Sequence, residues 1–285
     1  MGKKLFVLVA VALQLVASAC GSTNQPAAQA SASASTLDCS ISKLNLQTAG
    51  QLTVATDSPA YDPWFSNNKP SNGKGYESAV AYAIATQLGF TNDQVKWVAE
   101  PFDSSYAPGP KKFDFDINEI TVTPDREQAV TFSKGYFDVN QAIVALKSNP
   151  IVNAHSPSDL ANYRYGDQVG TTGLAYIQNQ IKPTATPRVY NTLDDAVSAL
   201  KVKQIDAIVI DTPTAAYMAS QQVPNGTVVG QFPSTGDHIG LLFAKDNPLV
   251  ACVNQAIDKL NAAGTLKSLQ NQYLSDYISI PVIQP

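Results

Sequence analysis

Residues suited to chemistry on a substrate are scarce in this chain. Only two histidines occur in 285 residues, His155 and His238, and they stand far apart. No His-x-x-x-His or Cys-x-x-Cys spacing occurs, which argues against a dedicated transition-metal site. No Gly-x-Ser-x-Gly is present, so a nucleophile elbow has no candidate. Gly170-Thr171-Thr172-Gly173 lacks the Lys-Ser/Thr pair that completes a phosphate-binding loop. Carboxylates are plentiful but not diagnostically spaced. Basic runs are missing too: 19 Lys+Arg stand against 23 Asp+Glu, a formal charge of −4, which argues against nucleic acid as a partner. No catalytic residue, metal or cofactor is expected. There is no internal repeat and no heptad run.

Long apolar stretches are confined to one place. Lys3 and Lys4 precede Leu5 to Val16, broken only by Gln14, and Ala17-Ser18-Ala19-Cys20 follows. The run is short for a membrane span. It has the form of a signal peptide, 1–19, with a small-residue cleavage site. Cys20 after small residues resembles the bacterial lipobox, with Ala17 where leucine is usual. That resemblance implies cleavage before Cys20 and lipidation (palmitate included) of the new N-terminus. An ordinary secretory signal with an incidental cysteine is the alternative. Residues 20–36 hold nothing charged or large after the cysteine and predict a flexible tether. Without Lys3 and Lys4, 17 basic and 23 acidic residues leave the mature chain at −6. If Cys20 takes lipid, Cys39 and Cys252 remain, and an exported chain meets oxidants. A disulfide between them is one reading, two buried free thiols the other.

From residue 37 onward, strand and helix patterns alternate. Strands are expected at Gln51–Thr56, Val95–Ala99, Phe113–Val122, Gln141–Leu146, Tyr165–Val169, Asp206–Ile210 and Ile239–Ala244, with a brief one at Val228-Val229. Helices are expected at Ser78–Leu88, from Pro124, at Leu174–Ile181, Thr192–Lys201, from Thr212, and at Pro248–Ala263 and Leu266–Tyr277. Two such sets predict two α/β lobes with largely parallel sheets, whose ligands bind at the C-terminal ends of strands.

Three segments place polar groups at such ends. In Thr121-Val122-Thr123-Pro124-Asp125-Arg126, Thr123 is a good N-cap and Pro124 a good first helical residue. Arg126 then falls in the first turn, where the helix dipole repels a cation. A guanidinium kept there points to an anion, with a forked geometry that fits a carboxylate. Pairing with Asp125 or Glu127, or plain solvation, is the alternative. The Gly170–Gly173 loop opens a helix, so Thr171 and Thr172 lie where free N–H groups favour an anion; a plain turn would read the same. Asp211 ends a strand and could accept an ammonium, or simply cap the helix from Thr212.

Together these segments resemble the polar amino acid family of solute-binding proteins that serve ABC importers, bacterial extracellular family 3. The likeness runs from about Gln51 to Tyr277. It rests on Thr121–Arg126, Phe132-Ser133 with Tyr136-Phe137, Gly170–Gly173 and Asp206–Asp211, in that order. It implies a two-lobed periplasmic-binding-protein-like α/β fold (type II), its lobes joined by two crossing strands near Ala142–Leu146 and Ile239–Ala244. The lobes would be 37–143 with 241–285, and 144–240. By likeness, Arg126 with the Thr121 and Thr172 backbones holds a ligand's α-carboxylate, and Asp211 its ammonium. Asp57 sits near the ligand's side chain, and Tyr61 and Phe102 form an aromatic wall. Three departures stand out. Glu119 replaces a small residue and shares strand parity with Thr121, adding an acid to the cleft. Ser104–Lys112, with Pro108-Gly109-Pro110, replaces a helix. Gly75-Tyr76-Glu77 lacks the family's second acid.

The function implied is an extracytoplasmic lipoprotein, not an enzyme, that captures a small zwitterion and delivers it to an ABC importer permease. Asp57 and Glu119 disfavour an acidic ligand and favour a cationic or amide side chain. A sensing module, or a small dehydratase on the same fold, are the other readings. The expected location is the outer face of the cytoplasmic membrane, cell surface or periplasm, as a monomer anchored through Cys20.

Overall fold

The computed structural model describes residues 37–154, 156–234 and 236–283. Residues 1–36, with the expected leader, Cys20 and the expected tether, lie outside them, as does His155. In chain order, the first run comprises β1 (Leu52–Thr56), α1 (Tyr76–Gln87), β2 (Val95–Ala99), α2 (Phe102–Ser105), β3 (Phe115–Asp116), α3 (Pro124–Glu127) and β4 (Val130–Asp138). The second comprises β5 (Gln141–Leu146), β6 (Gly166–Gln168), α4 (Thr172–Tyr176), β7 (Arg188–Tyr190), α5 (Leu193–Lys201), β8 (Ala207–Asp211), α6 (Thr212–Tyr217) and β9 (Gly226–Gln231). The chain closes with β10 (His238–Ala244), α7 (Leu249–Ala262) and α8 (Thr265–Ile278).

These strands form two main sheets, one per lobe. The first has the order β2-β1-β3-β10-β4, the second β8-β5-β9, with a small parallel pair β6-β7 beside the latter. β4 leads through Val139 and Asn140 into β5, and β9 leads through 232–237 into β10, so the crossings fall at the ends of the expected strands rather than within them. The largely parallel sheet expected from the alternation holds only for β2-β1-β3. β10 runs antiparallel to β3 and β4, and β5 is antiparallel to both β8 and β9. The reason is connectivity: β5 and β10, the strands entered at the two crossings, each insert between two others and run against both neighbours.

Each lobe is covered on both faces. Along β5, Ala142, Val144 and Leu146 enter a core with Leu193, Val197 and Leu200 of α5, while Ile143 and Ala145 pack on the other face with Ile151, Tyr165 and Ile177. That period of two explains why QAIVAL reads as a fully buried strand. α5 starts where Thr192 Oγ1 accepts the Asp195 N–H at 3.2 Å, a cap visible in the sequence. α7 buries Leu249, Cys252, Val253, Ala256, Ile257 and Leu260, a helical stripe facing the first lobe's core. At the head of α1, Gly75 has φ 92°, and a Cβ there would sit 2.3 Å from the Trp64 carbonyl oxygen, so only glycine fits.

Two strands differ from the sequence expectation. β4 was not expected, because register shifts opposite Ile239 and Gly240 break its alternation: Phe132, Ser133, Tyr136 and Phe137 are all buried. Phe113–Val122 was expected as one strand, but only Phe115–Asp116 joins the ladder. Glu119 adopts φ 53°, which bends the segment before Thr121 regains a single bridge to Ile239. As expected for Ser104–Lys112, no long helix forms there; α2 is one turn.

Two further ties matter. Cys39 and Cys252 are bonded, joining the start of the first lobe to α7. Beyond α8 the chain runs along the edge of β9. Gln231 N–H donates to Pro281 O at 2.9 Å, and Ile283 N–H donates to Gln231 O at 2.8 Å. Ile283 is buried in the second lobe's core.

Candidate functional site

Between the lobes lies a cavity of about 70 Å³. Asp57, Tyr61, Phe102, Glu119, Thr121, Arg126, Thr171, Thr172 and Asp211 all line it. Sequence reasoning had singled out each of these nine.

Arg126 is the cation of the cavity and is 8% exposed. Its guanidinium donates to Thr121 O at 2.6 Å and, across the cleft, to Gly170 O at 2.9 Å. It lies over the Tyr106 ring at 4.9 Å and the Phe102 ring at 5.4 Å. Among the described residues it has no salt bridge, so neither Asp125 nor Glu127 neutralises it. Thr123 caps the following turn by accepting the Arg126 N–H at 3.3 Å. α3 is a single turn, however, so its dipole is a minor influence. Burial is the larger one: it lowers the guanidinium pKa, while Tyr106 and Asp211 oppose the shift.

Asp211 faces the cavity from the second lobe. It stands at the N-cap position of α6, yet its side chain makes no capping bond. Instead its Oδ1 accepts Gln141 Nε2–H at 2.5 Å. Burial pushes its carboxyl up to about 7, against the pull of Gln141 and Arg126. Gln141 Nε2 also lies 3.3 Å from Thr172 Oγ1, and Thr172 Oγ1 is 3.5 Å from Thr121 Oγ1 of the opposite lobe. In the glycine loop, Gly170 has φ 74°, and a Cβ there would lie 1.9 Å from the Tyr106 hydroxyl. The loop can therefore approach the first lobe only as glycine. Thr171 Oγ1 caps α4 by accepting Leu174 N–H at 3.1 Å.

Acid dominates the other end. Asp57 Oδ1 accepts Ser58 N–H at 2.6 Å, and burial raises its pKa. Tyr61 packs against the second lobe's core, and its pKa is raised by burial and then by Asp194. Glu119 reaches the cavity by a different route from the expected one: its left-handed backbone, not strand parity, turns it inward. Its N–H donates to Glu77 Oε1 at 2.7 Å, and its Oε2 accepts the Thr214 hydroxyl at 2.8 Å. Burial and then Glu77 and Asp211 hold its pKa well above the usual range. Glu77 is itself fully buried, bonded to the Tyr136 hydroxyl, and raised to about 8, chiefly by burial.

Sequence reasoning missed Asn118, Gln141, Gln168, Leu193 and Ile210 in the lining, and Tyr106 beneath Arg126. Gln141 had a signal: a lone amide heading a run of apolar residues. The others had none. The lining as a whole sets Asp57, Glu119 and Asp211 against Arg126, an acidic balance suited to a ligand that brings both a carboxylate and extra positive charge. Nothing in the arrangement pairs a nucleophile with a base.

The bacterial extracellular solute-binding proteins of family 3 match this chain over residues 52–276. An L-arginine-binding protein of Pseudomonas aeruginosa is 26% identical over 239 residues, covering 78% of this chain and 90% of the relative. A probable histidine-binding protein of Campylobacter jejuni is 29% identical, covering 78% and 84%. An ancestral arginine-binding protein bound to glutamine superposes with a TM-score of 0.68 at 27% identity, covering 79% of this chain and 98% of that one. These relatives are binding proteins rather than enzymes. Among the described residues no helix is long and apolar enough to cross a membrane.

Proposed function

This chain belongs to the bacterial extracellular solute-binding proteins of family 3, and on that footing we propose that it captures a cationic amino acid between its lobes and hands it to an ABC importer. The observation that carries this reading is the placement of Arg126 and Asp211 on opposite lobes in one cavity. Arg126 takes the α-carboxylate through its remaining N–H groups, and Asp211 takes the α-ammonium. Asp57 and Glu119 face the side chain and favour a guanidinium or ammonium over a carboxylate. Phe102 and Tyr61 flank the aliphatic stem. The likeness to arginine- and histidine-binding relatives supports the same class of ligand.

Lipidation at Cys20 would hold the mature chain, as a monomer, at the outer face of the membrane, with 20–36 as tether. Cys20→Ser is expected to release the protein from the membrane fraction and abolish palmitate labelling. The central experiment is a thermal-shift screen against free amino acids, followed by calorimetry. Arginine, lysine or histidine should raise the melting temperature by mass action, and glutamate should not. A protein stabilised by glutamate, or by no amino acid, overturns the reading. An uptake assay in a strain lacking the gene separates transport from sensing.

A further inference from the structure

Two side chains outside the expected ligand set, Trp64 and Thr214, make one hydrogen-bonded line across the cleft with Glu119. Trp64 is fully buried in the first lobe's aromatic core with Tyr76 and Phe137. Its indole Nε1–H donates to Thr214 Oγ1, on α6 of the second lobe, at 2.7 Å. Thr214 Oγ1 lies 2.8 Å from Glu119 Oε2, back in the first lobe. An indole N–H can only donate, and a hydroxyl has a single proton. Trp64 therefore fixes the direction of the line: Thr214 accepts from Trp64 and spends its proton on Glu119. The Glu119 oxygen must accept, which a carboxylate does best.

Glu119 is held from below as well. Its backbone N–H is bound by the buried Glu77, whose carboxylate also receives the Tyr136 hydroxyl. With φ 53°, Glu119 occupies a conformation that favours glycine, and such a residue persists only where its surroundings over-determine it. One carboxylate oxygen is committed to Thr214, and the group still lines the cavity.

We propose that Trp64 and Thr214 are positioning residues for specificity: by pinning Glu119 across the closed cleft, they make closure favour a ligand with a cationic side chain over a neutral one of the same shape. The pin joins one lobe to the other, so the carboxylate is held where the two lobes meet. Without a counter-charge Glu119, beside Asp57 and Asp211, keeps its proton, and a neutral side chain gains nothing from the pinned group. A guanidinium supplies that charge at the moment the line forms. This rests on the proposed amino acid site, whose failure has its own signature below.

Arginine and citrulline test it, since they differ in a charged guanidinium against a neutral urea group. Calorimetry on the wild-type protein should show preference for arginine. Thr214→Val keeps the shape and removes the hydroxyl; it should weaken arginine binding about tenfold or more while citrulline stays within about twofold. Thr214→Ser should restore the preference. If Thr214→Val weakens both ligands equally, or neither, the positioning role is overturned. If the wild type binds neither compound, the ligand reading fails instead, and the line is judged without ligand. The chain has two tryptophans, Trp64 and Trp97, so Trp97→Phe leaves one indole N–H resonance in a proton–nitrogen spectrum. Adding Thr214→Val should shift that resonance and speed its exchange with water. An unmoved resonance overturns the line itself.

Discussion

The two lobes contribute unequally to the cavity. The first brings the guanidinium of Arg126, the aromatic rings of Phe102 and Tyr61, and two carboxyls, Asp57 and Glu119. The second brings shorter groups: the hydroxyls of Thr171 and Thr172, the Gln141 amide and one acid, Asp211. They differ in construction as well. The second lobe's sheet is made from one continuous stretch, β5 to β9, while the first lobe's sheet combines β1 to β4 with β10 from the far end of the chain. The first lobe supplies most of the cavity's charged and aromatic groups, the second its small hydroxyls and amides. The disulfide belongs to the interrupted lobe, where it closes a chain that the other lobe separates.

The largest effect expected from this asymmetry is on the first lobe. Arg126→Ala should cost about 4 kcal/mol of ligand affinity, roughly a thousandfold in Kd, because a desolvated carboxylate loses its partner. Near-normal affinity by calorimetry would mean that the first lobe does not dominate. Removing the disulfide with Cys39→Ser and Cys252→Ser comes next. The bond spans 213 residues, and loop-closure entropy sets a ceiling of about 5 kcal/mol on its stabilisation. A loss of about 3 kcal/mol in denaturant unfolding, with ligand affinity unchanged, is expected; a changed affinity would show that the interrupted lobe shapes the cavity through its staple. On the second lobe, Asp211→Asn should cost about 2 kcal/mol of affinity, since an amide oxygen still accepts from the ammonium without opposing its charge. If this exceeds the Arg126 effect, the ranking of the lobes is reversed.

The last effect concerns pH. Burial raises Glu77 to about 8 and Asp211 to about 7, against roughly 4 for carboxyls in an unfolded chain. The folded protein thus holds more protons than the unfolded one across that window. Its stability is greatest below the ordinary carboxyl range and declines as pH climbs through 7 and towards 8. The ligand-free protein should melt a few degrees higher near pH 5.5 than near pH 8. Glu77→Gln should flatten the first lobe's share of this slope and Asp211→Asn the second's, which apportions it between them.

Much of this site could be read from sequence because its key residues sit at strand-to-helix junctions, where a few consecutive residues fix the backbone. Thr123-Pro124 places Arg126, and the end of a buried strand places Asp211. Side chains whose role depends on distant partners could not be read so. Trp64 and Thr214 are 150 residues apart, and neither has a local pattern that names the other. Gln141 looked like the start of a strand, which it is, and nothing nearby announced Asp211 as its partner. For the fold, α5, α7 and β5 followed from periodicity, whereas β4 was hidden by its register shifts. Strand direction was misjudged because alternation of elements does not reveal which strand enters the other lobe. Glu119 was placed in the cavity for the wrong reason, since a left-handed glutamate is not an expected use of that residue.

The tail beyond α8 changes how many cords tie the halves together. With Gln231 bonded to Pro281 and Ile283, and Ile283 sunk into the far core, three strings of backbone rather than two run between the lobes. A jaw slung on three straps loses freedom to twist, and it can gape only along directions that all three permit, or by peeling the last one away. A fluorophore or affinity handle fused at that end would therefore load the pivot.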